Sequence, residues 1–483
     1  MRRLLSKILI LTMMMQLFVT TAYAKPDWPS DTGILAEGGI VIDMDSGAVL
    51  FGQNIKVGYY PASITKLLTA LVVLEHAQLD SEVVFTDDAV NNMEPGSANP
   101  MELVEGDKMP VEDCLYLLIL RSSNQCANAL AEHVAGSRDA FVELMNEKIA
   151  QLGCMGSHFK NPSGLNDPEQ VVTPYDMALI ARAAFSNEKL LEIASTLNRD
   201  FPPTTNRPNG TSASMEHKLL VTEDSNSLHY YPDAVAGKTG YTSLAGNTLV
   251  TLAERDGRRV IAVVLKGTQP QYYVDSKNLL DFGLDRFYNE KIAPHETAYT
   301  SGEEQIAIGD KSYLPSELTI DEDAAVTLPK DASYEDAEKT LETVLPSDHP
   351  AGAVALLKYT YNERVIGQAY IRLKNVPLEE PLEPAAADPA NGQNESQAQP
   401  SAGPDAPKSE PAASFPSVPV AALIALAVAL LLGCAAGYVV YSRKKEAKER
   451  ELRRQKRLKR LQEIGCSEEE FEKLVAERKN KIN

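Results

Sequence analysis

The sequence predicts an α/β (α+β) fold in which an antiparallel sheet packs against a helical lobe, followed by a small all-β domain and one transmembrane helix. Strand patterns at 39–51 precede a mainly helical stretch at 80–185, and strand patterns return at 234–265. Short strands separated by polar turns then occupy residues 296–376, which is typical of a small β domain. The uncharged apolar run 418–441 has 24 residues. At about 1.5 Å per residue it spans roughly 36 Å, enough to cross a bilayer.

The first residues have the composition of a signal peptide. Met1-Arg2-Arg3 is a positively charged start, an apolar stretch follows, and Ala22-Tyr23-Ala24 is a small-x-small cleavage site. We therefore expect residues 1–24 to be removed, so that the mature protein begins at Lys25 and is exported.

The predicted sheet and lobe follow from the periodicity of the apolar residues. Apolar runs at 39–43 and 48–51 flank the turn sequence Met44-Asp45-Ser46-Gly47, which predicts a β-hairpin. Helical periodicity predicts lobe helices at 111–120, 125–135, 139–152 and 175–186, the last opened by Pro174. Strands are predicted at 234–241, 248–253 and 260–265 with a closing helix at 275–288, and the β domain at 305–308, 325–328, 353–360 and 365–373.

Between the hairpin and the lobe lies a buried helix that opens with a serine and a lysine. Pro61 suits the first turn of a helix, and the apolar positions from Ile64 onward recur at helical spacing. Ser63 and Lys66 are three residues apart and therefore share one face. A serine hydroxyl is a poor nucleophile until a base takes its proton, and a desolvated lysine near other cations can be that base. By itself, S-x-x-K occurs by chance in many helices.

Two further motifs raise this pair above chance. Ser122-Ser123-Asn124 lies in a break between two predicted helices, where a hydroxyl and a carboxamide can both point into a cleft. Lys238-Thr239-Gly240 lies on a predicted strand, and Gly237 and Gly240 allow a substrate backbone to approach closely. S-x-x-K, S-D-N and K-T-G are together the signature of penicillin-binding proteins and class A β-lactamases. Here the middle motif reads Ser-Ser-Asn.

With residues 60–66, 161–165, 176–178 and 237–242, the chain resembles the D-alanyl-D-alanine carboxypeptidases of peptidase family S11, the low-molecular-mass penicillin-binding proteins. The resemblance covers about 39–283 and, more weakly, the β domain. It implies a penicillin-binding/β-lactamase-like transpeptidase fold and a penicillin-sensitive serine hydrolase. The implied reaction removes the terminal D-Ala from peptidoglycan stem pentapeptides.

The resemblance also implies a role for each catalytic residue. Lys66 takes the proton from Ser63, which attacks the carbonyl of the penultimate D-Ala to form an acyl-enzyme. Ser122 and Lys238 relay the proton to the departing D-Ala, and water then releases the shortened peptide. No cofactor or metal is implied, and β-lactam antibiotics are implied as covalent inhibitors.

The implied substrate-binding residues are Asn124, Lys238, Thr239, Gly240 and Tyr241. Asn124 holds the peptide amide, Thr239 with Lys238 receives the terminal carboxylate, and the backbone N–H groups of Ser63 and Tyr241 form the oxyanion hole. The sequence departs from its relatives at two points. Gln125 stands where they often have Asp, and 269–276 lacks the arginine that some of them place near the substrate carboxylate.

Rival functions stay open at this point. A D,D-endopeptidase that cuts wall cross-links shares all three motifs. A class A β-lactamase places Glu-x-x-x-Asn between the second and third motifs, whereas here Glu169 is followed at that spacing by Thr173. A catalytically silent, membrane-tethered adaptor that binds wall peptide is the third rival, and the intact Ser63, Lys66, Ser122 and Lys238 argue against it.

Composition sets the compartment and excludes some partners. The net charge of −20 disfavours nucleic acid as a binding partner.

Residues 377–416 are a Pro/Ala-rich linker without core-forming side chains. The basic tail 442–483 directly follows the apolar run, which predicts a single-pass membrane protein with an extracytoplasmic catalytic domain at 25–295 and a cytoplasmic C-terminus in contact with membrane lipid. Cys114, Cys126 and Cys154 lack the spacing of a disulfide framework, so we expect small buried thiols, with a disulfide as the alternative.

Overall fold

The computed structural model describes residues 25–93, 97–346 and 349–376, which belong to one compact unit. Within these ranges, no helix is both long and apolar enough to cross a membrane. Four predicted segments lie outside the described residues, namely the signal peptide 1–24, the linker 377–416, the span 418–441 and the tail 442–483.

The described residues form strands and helices that alternate in blocks along the chain. In chain order the strands are β1 (Gly38–Asp43), β2 (Val49–Gln53), β3 (Glu82–Val84), β4 (Lys108–Pro110), β5 (Asn198–Phe201), β6 (Thr211–Ser214), β7 (Ala234–Thr242), β8 (Gly246–Arg255), β9 (Arg258–Gly267), β10 (Phe287–Lys291), β11 (Ile306–Ile308), β12 (Lys311–Tyr313), β13 (Leu318–Ile320), β14 (Ala325–Pro329), β15 (Glu338–Glu342), β16 (Ala353–Tyr361) and β17 (Arg364–Leu373). The helices are α1 (Lys66–His76), α2 (Asp87–Asn91), α3 (Val111–Leu120), α4 (Asn124–Ala135), α5 (Arg138–Gln151), α6 (Pro174–Ser186), α7 (Glu188–Ser195), α8 (Lys218–Val221) and α9 (Gln271–Arg286).

The first sheet is antiparallel and has the strand order β2-β1-β9-β8-β7. Side chains of a strand alternate between its two faces, and β1 shows the result. Ile40 and Ile42 pack into the core of the helical lobe, whereas Val41 packs with α9 on the opposite face. The sheet is therefore covered on both sides, which confirms the predicted antiparallel sheet with a helical lobe. Strand β7 stays at the edge, against the turn Ala62–Thr65.

The strongly periodic segments fold as predicted, and the differences lie at their ends. The hairpin β1–β2, the strands β7 to β9 and the lobe helices α3 to α6 are confirmed. The helix predicted at 275–288 instead begins at Gln271 and ends at Arg286, and Tyr288 lies on β10. The Arg258 guanidinium donates to the carbonyls of Gly283 and Phe287, so it satisfies backbone acceptors where the helix ends.

A second antiparallel sheet follows, with the order β10-β14-β17-β16-β15 and β13 paired to β17. Its first strand, Phe287–Lys291, lies within the predicted catalytic range 25–295, so the predicted boundary at 295/296 falls inside this sheet. That residues 296–376 form a separate domain stays a prediction, because all described residues belong to one compact unit.

The two sheets are joined by a buried polar network around Asp43. This carboxylate is fully buried and accepts from Arg258 Nη2 and Asn289 Nδ2, both at 3.1 Å. Asn289 in turn accepts from Thr327 Oγ1 at 2.9 Å. Because β1 belongs to the first sheet and β10 and β14 to the second, this network fixes one sheet against the other.

The predicted thiols are confirmed as free cysteines, since Cys114 and Cys126 are buried and Cys154 is partly buried. Burial raises the pKa of the Cys154 thiol to about 12, so this side chain stays protonated at neutral pH.

The lobe also contains short strands and helices that the periodicity did not predict, such as the hairpin of β3 and β4.

Candidate active site

Ser63 lies on a tight 3-10 turn, Ala62–Thr65, which leads directly into α1. Ala62 has φ +52°, a left-handed conformation that is strained for a residue other than glycine. Two glycines abut this turn. A Cβ at Gly164 would lie 1.9 Å from the Ala62 carbonyl oxygen, and one at Gly240 would lie 2.8 Å from the Ser63 amide nitrogen. The backbone around Ser63 is therefore enclosed from both sides.

Lys66 is fully buried and joins three parts of the site. Its Nζ lies 3.0 Å from Ser63 Oγ and 2.7 Å from Asn124 Oδ1. It also donates to the backbone carbonyl of Ser163. The predicted pairing of Ser63 with Lys66 is thus present as a direct contact, and Asn124 of the second motif belongs to the same cluster.

The second motif forms the turn between α3 and α4. Ser123 caps α4, since its Oγ accepts from the Cys126 amide at 3.2 Å. Ser122 has φ +54° and is half-buried, and its hydroxyl forms no hydrogen bond to another described residue. A strained residue with an unengaged hydroxyl next to the cleft is suited to contact a substrate.

Gln125, which directly follows the second motif, is buried with 2% exposure. Its Nε2 lies 3.4 Å from the Ala98 carbonyl oxygen, a long hydrogen bond. Its Oε1 accepts from Ser123 Oγ at 3.5 Å, so the side chain contacts both Ala98 and the second motif.

The 161–165 loop supplies a contact that the sequence did not assign. Asn161 Oδ1 accepts from the Gly164 amide at 2.8 Å and from Ser163 Oγ at 3.0 Å, which fixes the turn. The buried Gln170 braces it, since its Nε2 donates to the Leu165 carbonyl at 2.8 Å. The loop thereby presents the Ser163 carbonyl oxygen to Lys66. A backbone acceptor has no side-chain signature, so motif reasoning could not have found it.

Lys238, on β7, is the second buried lysine of the site, with 1% exposure. Its Nζ donates to the Thr239 carbonyl at 3.0 Å. Burial lowers the pKa of Lys238 to about 8, and the nearby Glu216 carboxylate opposes that shift. Lys238 and Gly240 are two residues apart on one strand, so they face the same side, toward the Ser63 turn.

Strand β7 is held against the turn by residues that the motifs did not reveal. Thr248 Oγ1 donates to the Pro61 carbonyl at 2.9 Å, and a Cβ at Gly240 would lie 2.4 Å from Thr248 Oγ1. A Cβ at Gly237 would lie 2.7 Å from the ring of His217. His217 is fully buried, with Nε2 2.9 Å from Thr251 Oγ1, and burial lowers its pKa to about 3.

The remaining predicted residues line the open side of β7. Thr239 is half-buried, whereas Tyr241 is 67% exposed. Thr242 Oγ1 donates to Asn166 Oδ1 at 2.7 Å, which ties the end of β7 to the loop below it. Within the described part of the chain, no group of His, Cys, Asp and Glu side chains is arranged to hold a metal ion.

Three comparisons relate this chain to known proteins. The family model of the D-alanyl-D-alanine carboxypeptidases, Peptidase_S11, matches residues 24–269. A D-alanyl-D-alanine carboxypeptidase of Mycobacterium tuberculosis, DacB2, is 36% identical over 54% of this chain and 84% of its own length. DacA of Escherichia coli K12, of the same description, is 31% identical over 68% of this chain and 80% of its own length. The structure of penicillin binding protein 5 of Haemophilus influenzae superposes with a TM-score of 0.56 at 26% identity, covering 73% of this chain and 99% of that one.

Proposed function

The chain belongs to the D-alanyl-D-alanine carboxypeptidases of peptidase family S11, and we propose that Ser63 is its nucleophile and stem pentapeptides of peptidoglycan are its substrate. The observation that carries the proposal is the position of Lys66 Nζ, 3.0 Å from Ser63 Oγ and 2.7 Å from Asn124 Oδ1. An amine buried beside a hydroxyl on a helix-opening turn is the arrangement that an activated serine needs.

Acylation begins with proton transfer from Ser63 to Lys66. The contact in which Lys66 Nζ donates to Ser63 Oγ reverses when the amine is neutral, because its lone pair then accepts the hydroxyl proton. Ser63 Oγ bonds to the carbonyl carbon of the penultimate D-Ala, and the bond from that carbon to the nitrogen of the terminal D-Ala breaks. The proton taken up by Lys66 passes through the hydroxyl of Ser122 and the amine of Lys238 to the departing amine.

The negative charge that develops on the substrate oxygen needs donors fixed in advance. The Ser63 amide faces Gly240, and the amide of Tyr241 is the next one along β7. We assign these two N–H groups to the oxyanion hole. A water molecule then gives a proton to Lys66 and bonds to the acyl carbon, the bond from that carbon to Ser63 Oγ breaks, and Ser63 Oγ takes the proton back from Lys66.

The substrate backbone is proposed to align with β7. This strand ends the first sheet, and an extended peptide can add to such a free edge. Gly240 leaves room for the reacting carbonyl beside Ser63, and Asn124 offers its carboxamide to the peptide amide on the opposite wall. A β-lactam ring presents a reactive amide to the same serine, and its leaving nitrogen stays tethered, which supports penicillin sensitivity.

The proposal is tested by incubating the full chain with a stem pentapeptide and measuring the D-Ala released. Ser63→Ala should release none, whereas Ser186→Ala, a change at an exposed serine of α6, should match the unaltered protein. Cross-linked muropeptide dimers form a second arm. Cleavage of the dimers without D-Ala release from the pentapeptide would replace the carboxypeptidase with an endopeptidase.

We further propose that the protein is exported and anchored in the cell membrane by residues 418–441, with the tail 442–483 in the cytoplasm. The support is the signal-peptide composition of 1–24, the uncharged run and the basic residues that follow it. A chain that ends at Val376 should appear in the soluble fraction and keep its D-Ala release, while the full chain sediments with membranes. A folded but inactive truncation would show that the C-terminal segment shapes the site.

A further inference from the structure

The residue directly before the second motif is an arginine whose charge is only loosely engaged. Arg121 directly follows the last residue of α3 as its C-cap, and its amide donates to the Leu117 carbonyl at 3.1 Å. Its guanidinium is partly exposed, and Nη1 lies 3.6 Å from Glu216 Oε1. This distance exceeds that of a charge-assisted hydrogen bond. Among the described residues, no acceptor forms a hydrogen bond with the guanidinium of Arg121.

Other arginines of the described chain are held more firmly. Arg199 reaches Asp113 at 2.8 Å, Arg255 reaches Asp233 at 2.6 Å, and Arg258 reaches the buried Asp43 at 3.1 Å. Each of these also donates hydrogen bonds to its partner. An arginine carries five donors in a planar fork that matches a carboxylate, so the donors of Arg121 are available to a second anion.

The contact between Arg121 and Glu216 connects residues that adjoin the second and third motifs. Arg121 is bonded to Ser122, and Glu216 is bonded to His217, whose ring packs against Gly237 at the start of the third motif. The charge of Glu216 also reaches the amine of Lys238. The ion pair therefore joins the residue next to Ser122 to a carboxylate near the Lys238 amine.

A carboxypeptidase must recognise the terminal carboxylate of its peptide, and Lys238 is an incomplete anchor for it. Its amine is turned onto the Thr239 carbonyl and loses its charge near pH 8. An arginine keeps its charge at every physiological pH, and Arg121 is the one that adjoins a motif residue.

We propose that Arg121 binds the terminal carboxylate of the stem peptide, exchanging its loose pair with Glu216 for a two-point contact with the substrate. Glu216 then holds the guanidinium of Arg121 in place and competes with the incoming carboxylate for it. This inference rests on the proposed function, since it assigns a specificity residue to that reaction.

The test compares two peptides at pH 6.5, one ending in D-Ala-D-Ala with a free carboxylate and the same peptide ending in the carboxamide. Arg121→Gln should raise KM for the acid by roughly 10- to 100-fold, the value of a charge-assisted contact, with a smaller change in kcat. KM for the amide should change little. The kcat/KM of the acid divided by that of the amide should therefore fall. Glu216→Gln should lower KM for the acid. Arg207→Gln, which breaks a remote ion pair with Glu102, is the matched control and should change neither value.

The outcomes separate the two proposals. If the unaltered protein releases no D-Ala and penicillin does not label Ser63, the proposed function fails. If it is active but Arg121→Gln keeps the acid-to-amide ratio within about twofold, the role of Arg121 is overturned and the function stands. If Arg121→Gln does not fold, Glu216→Gln decides, because an unchanged or higher KM for the acid contradicts the competition. Arg121→Lys keeps the charge without the planar fork. Its KM for the acid should therefore lie between those of the unaltered protein and Arg121→Gln.

Discussion

Lys66 Nζ donates to Asn124 Oδ1 at 2.7 Å, so the first and second motifs meet in one buried hydrogen bond. The two residues begin neighbouring helices, α1 and α4, whose polar first turns face each other inside an apolar lobe. A buried amine needs such partners, because an unpaired polar group in the interior costs free energy. The same contacts hold the amine at the distance from Ser63 at which proton transfer is possible.

Replacing Lys66 by Arg should abolish acylation. A guanidinium keeps the positive charge but cannot accept a proton, so the variant lacks the base while a cation still occupies the site. We expect penicillin labelling and D-Ala release to fall together by more than about 100-fold, within the range of a general base. Circular dichroism checks the fold. Lys238→Arg is the control and should retain part of both activities, since the role of Lys238 is mainly electrostatic. Acylation of Lys66→Arg within tenfold of the unaltered protein would rule Lys66 out as the base.

Gly240→Ala should inactivate the site with little loss of structure elsewhere. The added Cβ would lie 2.8 Å from the Ser63 amide nitrogen and 2.4 Å from Thr248 Oγ1. Either contact displaces the turn that carries the nucleophile and one proposed oxyanion donor, so the acylation rate should fall by roughly 100-fold or more. Gly257→Ala is the comparison variant, since it has φ +76° but nothing within 4 Å. It should lose about 1 kcal/mol of stability and keep its acylation rate. Normal acylation by Gly240→Ala would contradict the close packing of β7 on Ser63.

The binding of carboxylate substrates should weaken as the pH rises through about 8. Burial lowers the pKa of Lys238 to about 8, so the positive charge on this side chain is present below that pH and is lost above it. KM for the acid peptide should therefore rise between pH 7 and 9, and Lys238→Arg should remove that rise. The lowered pKa of Lys238 also makes the stability of the fold depend on pH. Folding favours the neutral amine, so the contribution of Lys238 to the free energy of unfolding increases from about pH 8 to the unfolded value near ~10.4. A KM profile that is flat across pH 8 would contradict the role of Lys238.

The network between the two sheets should contribute stability rather than catalysis. Arg258→Met leaves the fully buried Asp43 without its cation, which typically costs about 3–5 kcal/mol. The double variant Asp43→Asn with Arg258→Met should recover part of that loss. Arg259→Met breaks the more exposed pair with Asp45 and should cost less than about 1 kcal/mol. Urea unfolding measures all three, and equal losses for Arg258→Met and Arg259→Met would show that burial of Asp43 does not matter.

Sequence reasoning succeeded where a local pattern determines the structure. The spacing of Ser63 and Lys66 on one helical face is a local property, and their 3.0 Å contact follows from it. The apolar periodicity of α3 to α6 and the alternation in β1 are equally local, and these elements were predicted to within a few residues.

Sequence reasoning failed where contacts join distant segments through the backbone or through shape. The Ser163 carbonyl reaches Lys66 across 97 residues of chain, and a carbonyl is the same in every residue. The ring of His217 packs under Gly237 only because the fold brings β7 beside it. The first two residues of β10, Phe287 and Tyr288, were predicted as the end of a helix, because the membership of β10 in the second sheet depends on pairing with the later strand β14.

The most direct test of the account is to find where penicillin bonds. Treatment of the full chain with a β-lactam, followed by tryptic digestion and mass spectrometry, should place the adduct on the peptide of residues 57–66, at Ser63. Ser63→Ala should show no adduct at saturating β-lactam, while Ser186→Ala should be labelled as fully as the unaltered protein. An adduct on another residue, or undiminished labelling of Ser63→Ala, would contradict the assignment of Ser63 as the nucleophile.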